Sequence, residues 1–233
     1  PMSAISEGLA PDKAWKLGRY GKSWLIGDTL NAGIGQGYVL ASPLQLAVMS
    51  ARISTGRAVI PRLIRAIGGT ELSPFDAPAL GLNENHLRAV RKGMFQVSNS
   101  RRGTAYGSRI VDDTMRMAGK TGTSQVRNIT AAERARGVTS NSDLPWERRD
   151  HALFISFAPF DDPRIAVSVV VEHGGGGSTT AAPIARDIVL QALNDGFPPL
   201  TAYPKSQRNR IEAERDALPL RDPQGPSGGY SRA

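Results

Sequence analysis

Residues 115–126 read Met-Arg-Met-Ala-Gly-Lys-Thr-Gly-Thr-Ser-Gln-Val, and they give the strongest indication of architecture in the chain. Threonines and apolar residues favour an extended strand here. Within it, Lys120, Thr121, Gly122 and Thr123 combine an ammonium group, two hydroxyls and a position without a side chain. Together these groups could bind a carboxylate. By themselves they are equally compatible with an edge strand that carries a solvated lysine and β-favouring threonines.

The segments that follow predict partners for this strand. Residues 151–159 and the Val-rich residues 164–172 each favour a strand, and a turn at residues 161–163 separates them. With the Lys-Thr-Gly strand they predict an antiparallel unit of three strands. Residues 127–150 are polar and weakly patterned, so we interpret them as a long excursion between two strands.

Helices are predicted around this unit. Ser42, Pro43 and Gln45 make a capping box with proline at the first helical position, and Gly56 ends that helix. A second helix is capped by Asn83 and runs to about Val97. A last helix is expected over residues 180–195, with the inward face formed by Ile184, Ile188, Leu190 and Leu193.

Four other segments show no helical pattern. We expect residues 1–26 to be irregular, residues 27–37 to form a glycine-rich loop, and residues 58–67 to form a short strand pair. From residue 197 to 233 the composition is dominated by Pro, Gly, Ser, Gln and Arg, which predicts a disordered tail.

Composition excludes several classes of function. The 233 residues contain no cysteine, which rules out disulfides and cysteine-ligated metal. His86, His151 and His173 lack metal-ligand spacing, so we expect no metal and no organic cofactor. The net charge is +8, but the basic residues are scattered and no recognition motif is present. We therefore interpret the charge as a solvated basic surface and expect no nucleic-acid partner.

No apolar run reaches the roughly eighteen residues that a membrane span requires. The sequence begins with Pro1-Met2 instead of an initiator methionine, and we expect it to be a fragment of a longer protein.

Three ordered blocks carry a family resemblance. The first is Gly-Asp-Thr at residues 27–29 with Gly-Ile-Gly-Gln-Gly-Tyr at residues 33–38 and Ser-Pro-Leu-Gln at residues 42–45. The second is residues 119–126, whose Lys-Thr-Gly is a signature motif of β-lactamases and penicillin-binding proteins. The third is residues 149–154 with Phe-Ala-Pro-Phe at residues 157–160. From about Leu9 to Asp195, the chain resembles the C-terminal half of a class B penicillin-binding protein transpeptidase domain. The first block is most similar to the elongation type, penicillin-binding protein 2.

The resemblance implies a fold and a site. The fold would be mixed α/β, with a β-lactamase/transpeptidase-like antiparallel sheet and packed helices, present over residues 1–196 as an incomplete C-terminal half. Lys120, Thr121 and Thr123 would bind the terminal D-Ala carboxylate of the substrate. Gly122 would keep the strand edge open, and the backbone N–H of Thr123 would be one of two oxyanion-hole donors.

The other two family motifs do not occur in the sequence. Neither Ser-x-x-Lys, which supplies the nucleophile, nor Ser-x-Asn is found in the 233 residues. We therefore expect the isolated chain to be inactive and the nucleophilic serine to lie upstream.

The resemblance also implies a biological setting. The parent protein would be a peptidoglycan D,D-transpeptidase that cross-links stem peptides by serine acyl transfer, supports cell shape and is inhibited by β-lactams. It would act at the periplasmic face of the bacterial inner membrane, anchored by an N-terminal span outside this sequence, with membrane partners of the cell-elongation machinery.

Three alternatives remain at the level of sequence. A D,D-carboxypeptidase or β-lactam sensor would use the same strand with water as acceptor, or with none. A non-catalytic binding module would use the basic face and the tail. A nucleotide-binding loop at residues 33–37 is disfavoured, since the Gly-Lys-Ser/Thr ending is missing.

Overall fold

The computed structural model describes residues 6–73, 76–127 and 129–218. Its helices are α1 (Lys13–Tyr20), α2 (Ile26–Gly33), α3 (Pro43–Thr55), α4 (Glu84–Asn99), α5 (Ala131–Arg136), α6 (Ala182–Leu193) and α7 (Arg208–Asp216). Its strands are β1 (Ala66–Ile67), β2 (Thr70–Glu71), β3 (Ala118–Ser124), β4 (His151–Ala158) and β5 (Ile165–Val171). Among these residues, no helix is both long and apolar enough to cross a bilayer.

The main sheet has three antiparallel strands in the order β3-β4-β5. Lys120 of β3 is opposite Ile155 of β4, and Ile155 is opposite Ser168 of β5. Strand β3 therefore lies at one edge, paired only with β4 among the described residues. The predicted three-stranded unit and the mixed fold class are confirmed.

Helices cover both faces of this sheet, and the alternation along β4 explains how. Phe154 and Ala158 belong to the core cluster that includes α6, while Phe157 packs with Met94 of α4. Side chains two apart on a strand share a face, so even and odd positions of β4 serve different layers. Helices α3 and α4 thus form one outer layer and α6 the other.

Helix α3 begins where its sequence predicts. The Ser42 hydroxyl accepts from the Gln45 N–H at 3.3 Å, and the Gln45 side chain accepts from the Ser42 N–H at 2.8 Å. Pro43 is the first helical residue, and Gly56 ends the helix in the left-handed region with φ of 70°. A buried bond joins α3 to the sheet, since the Ser50 hydroxyl donates to the carbonyl of Ser156 at 2.9 Å.

The prediction of irregular structure over residues 1–26 is wrong for α1 and the start of α2. Asp12 accepts from the Trp15 N–H at 2.7 Å, and Gly21 ends α1 with φ of 63°. These are ordinary helix caps that the sequence contains. The glycine-rich loop is shorter than predicted, because α2 extends to Gly33. Residues 1–5 lie outside the described residues.

The short strand pair lies further along the chain than predicted. Strands β1 and β2 flank Gly68 and Gly69, whose φ angles are 57° and 82°. Two successive positive φ angles define the tight hairpin turn that glycine pairs favour. The strands therefore meet at residues 66–71, and not within residues 58–65.

The inward face of α6 also differs from the prediction. Ile184 and Ile188 are 41% and 45% exposed, whereas Ala182, Ala185 and Val189 are fully buried. Leu190 is buried as predicted. The alanines bring the helix axis close to the sheet, so small residues occupy the contact and the isoleucines point outward.

The chain continues to pack after residue 196. Helical turns at Leu200–Ala202 and Lys205–Gln207 lead into α7. Ala202, Tyr203 and Ile211 are buried in the same core cluster as α6. The prediction of a disordered tail is therefore wrong for residues 197–218. Although this segment is mostly polar, its few apolar residues pack into the core. Residues 219–233 lie outside the described part of the chain.

Candidate functional site

The Lys-Thr-Gly residues lie on the open edge of the sheet. Lys120 and Thr123 are exposed, and Thr121 and Gly122 are half-buried. The strand alternation places Thr121 and Thr123 on one face and Lys120 on the other. The Lys120 ammonium group donates to the carbonyl of Thr121 at 2.6 Å. An edge strand also directs alternate backbone N–H groups away from the sheet, where a ligand can approach.

The glycine before this motif is needed for packing. A Cβ at Gly119 would lie 2.4 Å from the ring of Phe154 and 2.6 Å from the carbonyl of Ile155. Phe154 is fully buried. The absence of a side chain at Gly119 therefore allows the Phe154 ring to lie directly against β3, which fixes the strand beside β4.

A second glycine, Gly177 in the turn before α6, makes a close contact with the motif strand. A Cβ at Gly177 would lie 2.3 Å from the carbonyl oxygen of Leu153 and 2.4 Å from that of Gly122. Gly177 begins a π-helical turn, Gly177–Ala181, that leads into α6. Gly177 thus forms a close backbone contact with β3 and β4 beside the candidate site.

The loop after α4 contributes a residue that the sequence analysis did not identify. The Thr104 hydroxyl lies 3.0 Å from the Thr121 hydroxyl, and either can donate. Nearby, the Asn99 amide donates to the carbonyl of Met117 at 2.9 Å, which joins α4 to the start of β3. The sequence contained one signal for Thr104, namely its place in a short loop with Gly103 and Gly107 just before the motif strand.

The excursion between β3 and β4 is organised by polar contacts. Arg127 and Glu133 form a bidentate pair at 2.6 and 2.7 Å. The hydrogen bonds from Arg127, followed by that from the Thr139 N–H, lower the pKa of Glu133 to about 2. Asn141 and Asp150 exchange two hydrogen bonds at 3.1 and 2.9 Å. The polar residues that predicted a long connection between the two strands therefore also form the hydrogen bonds that order it.

Two histidines lie near the C-terminal end of β3. His151 is opposite Ser124, and its Nδ1 accepts from the backbone N–H of His173 at 2.9 Å. The His173 ring lies 4.5 Å from the ring of Trp146. These contacts are structural. In the ranges 6–73, 76–127 and 129–218, no group of three or more His, Asp or Glu residues is suited to hold a metal.

The first family-like block has a structural role. Asp28 accepts from the Lys16 ammonium at 2.5 Å and from the Leu25 N–H at 2.7 Å. These two bonds lower the pKa of Asp28. Thr29 accepts from the Trp24 indole at 2.8 Å. Asp28 of this block therefore joins α1 to α2.

A cavity among the described residues lies away from the motif. It has a volume of about 520 Å³ and is lined by residues that include Asp113, Met115, Asp161 and Arg164. These residues lie at the end of the sheet where β4 finishes, whereas Thr123 lies near the end where β4 begins. The candidate site lies on the open strand edge, where Lys120 and Thr123 are exposed, and is separate from this cavity.

The predicted site residues Lys120, Thr121, Gly122 and Thr123 form one continuous segment of edge strand β3, with Lys120 and Thr123 exposed and the two residues between them half-buried. Their roles in binding a carboxylate and an oxyanion stay predictions. The geometry adds Thr104 to them and excludes none.

Comparison with known proteins places this geometry in a family. Residues 8–190 match the family model for the penicillin binding protein transpeptidase domain. The peptidoglycan D,D-transpeptidase MrdA of Haemophilus influenzae is 36% identical over 216 residues, which is 89% of this chain and 32% of the relative. MrdA of Escherichia coli is 33% identical over 201 residues, 82% of this chain and 31% of the relative.

Solved structures agree with these relatives. PBP2 of Pseudomonas aeruginosa, in complex with WCK 5153, superposes with a TM-score of 0.65 and 35% identity, covering 86% of this chain and 41% of that one. PBP2 of Helicobacter pylori, in complex with MreC, gives 0.63 and 34%, covering 80% and 31%.

The chain spans about a third of the length of the curated relatives that it matches. The family model covers residues 8–190, and the fold match with PBP2 of Pseudomonas aeruginosa covers 86% of this chain. The resemblance read from the three sequence blocks is confirmed, and the chain belongs to the family of penicillin-binding protein transpeptidase domains.

Proposed function

We propose that this chain is the substrate-binding part of a peptidoglycan D,D-transpeptidase that cross-links stem peptides and is inhibited by β-lactams. The observation that carries the proposal is the exposed edge strand bearing Lys120, Thr121, Gly122 and Thr123 in a chain of the transpeptidase family. The relatives named as D,D-transpeptidases support the reaction class.

The reaction is acyl transfer in two steps. A serine hydroxyl attacks the carbonyl of the penultimate D-Ala, the peptide bond to the terminal D-Ala breaks, and free D-Ala leaves with a proton. An amine of a neighbouring stem peptide then attacks the acyl-serine ester, forms the cross-link and restores the serine hydroxyl. A β-lactam acylates the same serine through its strained amide.

The residues of this chain would bind and orient the donor peptide. The ammonium of Lys120 attracts the terminal carboxylate as a point charge, and the hydroxyls of Thr121 and Thr123 donate directed hydrogen bonds. The N–H of Thr123 would donate to the oxyanion in the transition state, where one such donor contributes about 3–4 kcal/mol. Gly122 leaves room for the peptide beside the strand.

The remaining catalytic groups would come from sequence outside this chain. A Ser-x-x-Lys helix would supply the nucleophile, its base and the second oxyanion donor. We further propose a location at the periplasmic face of the bacterial inner membrane, through an anchor outside this chain. A cell-elongation membrane protein is the proposed partner, by analogy with the PBP2 of Helicobacter pylori solved with MreC.

Labelling with a fluorescent penicillin tests the proposal. The isolated chain should form no covalent adduct, because nucleophile, base and oxyanion donor act as a unit. A longer form that includes the Ser-x-x-Lys half should be labelled stoichiometrically. In that form Lys120→Ala should slow labelling by about 100-fold, the loss of a charge-assisted contact of ~3 kcal/mol.

Lys205→Ala is the matched control, since Lys205 is also exposed but lies outside the sheet. Its labelling rate should stay within about twofold, as for most surface substitutions. A stoichiometric band from the isolated chain would mean that a serine of this chain, such as Ser124, is the nucleophile. Transfer of the acyl group to an added amine, in preference to water, separates a transpeptidase from a carboxypeptidase.

A further inference from the structure

The hydroxyl of Thr121 in the motif strand meets a second hydroxyl, that of Thr104, which the proposed function does not use. The Oγ1 atoms of Thr104 and Thr121 are 3.0 Å apart, although the residues are separated by 17 positions. Thr104 is exposed and Thr121 is half-buried. The pair therefore lies at the surface that a ligand of β3 would reach.

The loop that carries Thr104 is fixed against α4. A Cβ at Gly103 would lie 2.3 Å from the carbonyl oxygens of Gln96 and Val97, so the loop backbone rests directly on the end of the helix. The Ala105 N–H donates to the carbonyl of Val97 at 3.0 Å, and Ala105 is buried. Thr104 lies between these two anchored residues.

The same loop is held from its other side by the C-terminal segment. Gln207 donates to the carbonyl of Gly107 at 2.7 Å and accepts from the buried guanidinium of Arg186 at 2.6 Å. The Val111 N–H donates to the carbonyl of Ala202 at 2.8 Å. With both sides anchored, the Thr104 hydroxyl has a defined position relative to β3.

A hydroxyl has one proton to donate and two lone pairs to accept. If Thr121 donates its proton to a substrate carboxylate, its oxygen is left as the acceptor in the pair. Thr104 must then be the donor. A carboxylate bound at Thr121 thus fixes the direction of both hydrogen bonds, and the chain Thr104 to Thr121 to carboxylate is stronger than an isolated bond.

We propose that Thr104 is a positioning residue that donates to Thr121 and so orients the Thr121 hydroxyl toward the carboxylate of the donor peptide or β-lactam. The inference rests on the proposed function, because it assigns Thr121 the carboxylate contact. Thr104, which lies outside the Lys-Thr-Gly motif, would then contribute to the preference of the site for a ligand with a carboxylate.

The test uses the protein that carries this chain together with the Ser-x-x-Lys half. Thr104→Val keeps the shape of the side chain but removes the donor. It should lower the second-order rate of acylation by a penicillin about 3- to 10-fold, the range for one neutral hydrogen bond. Thr104→Ser restores a hydroxyl and should return the rate to within about twofold of the unmodified protein.

Two further readouts separate positioning from a general structural effect. With the methyl ester of the same penicillin, the anionic acceptor is gone, and Thr104→Val should then change the rate by less than about twofold. In a double-mutant cycle, Thr104→Val should add little to Thr121→Val, because the first acts through the second.

Each outcome supports or overturns a defined statement. A Thr104→Val protein that reacts as fast as the unmodified one, while Thr121→Val is slow, would overturn the inference and leave the proposed function intact. Equal slowing of acid and ester would assign Thr104 a structural role and also overturn it. An unmodified protein that is not labelled at all would overturn the proposed function and the inference together.

Discussion

At the scale of single residues, the candidate site depends on positions where a side chain cannot be accommodated. Gly177→Ala would place a methyl group within 2.4 Å of two backbone oxygens, those of Leu153 and Gly122. Backbone cannot move aside as a flexible side chain can, so we expect a loss of about 1–3 kcal/mol in the free energy of unfolding. Urea denaturation measures it, and acylation of the longer protein should slow as β3 shifts.

Gly93→Ala is the matched control for this substitution. Gly93 is exposed within α4, and a Cβ there would meet no atom within 4 Å. Replacing a helical glycine by alanine should stabilise the fold by about 0.5–1 kcal/mol. If both variants were equally stable, the close contact of Gly177 with the motif strand would not constrain the fold.

At the scale of elements, the connection between β3 and β4 should respond to acid. The bonds from Arg127 hold the pKa of Glu133 at about 2, below its usual 4.5. Because the pKa is lower in the folded state, the ionised Glu133 side chain stabilises the folded segment above pH 4.5. This stabilisation is lost as the pH falls from about 4.5 to about 2. Amide exchange of residues 129–139, corrected for the intrinsic pH dependence, should accelerate over that window.

Two variants test this assignment. Glu133→Gln removes the charge, so exchange in this segment should be fast already at neutral pH and should lose its acid dependence. Glu147→Gln is the control, since Glu147 is exposed in the same connection and forms no ion pair among the described residues. Unchanged protection in Glu133→Gln would show that other contacts order the segment.

At the scale of the whole molecule, the C-terminal segment should be needed for stability. Deleting residues 197–233 would remove the buried side chains of Tyr203 and Ile211 and expose the core residues that they cover. Burial of one large apolar side chain contributes about 1.5–3 kcal/mol to the free energy of unfolding. It would also leave the buried Arg186 without Gln207. We therefore expect a large fall in the midpoint of thermal unfolding, measured by circular dichroism against the full chain.

Arg186→Leu distinguishes the two causes. In the truncated chain it should change stability little, since the deletion has already removed both Gln207 and Tyr203. In the full chain it should destabilise, because the Gln207 bond and the stacking on Tyr203 are lost. A truncated chain as stable as the full one would place the end of the folded unit at residue 196, as the sequence suggested.

Several elements whose determining contacts are close in sequence were predicted correctly. The capping box of Ser42 and Gln45 spans three residues, and it predicted the start of α3. Alternation and turn residues likewise predicted β4, β5 and the motif strand. The caps of α1, Asp12 and Gly21, were equally local, so that helix could have been predicted but was not.

The sequence by itself determined the family, the three-stranded unit and the four residues of the candidate carboxylate edge, because motif order and short-range hydrogen bonding are written along the chain. Only the tertiary structure decided that Thr104 meets Thr121, that Gly177 rests on the motif strand, and that residues 197–218 complete the core. These contacts join segments far apart in sequence, and their geometry follows from how helices and sheet pack, which no local pattern encodes.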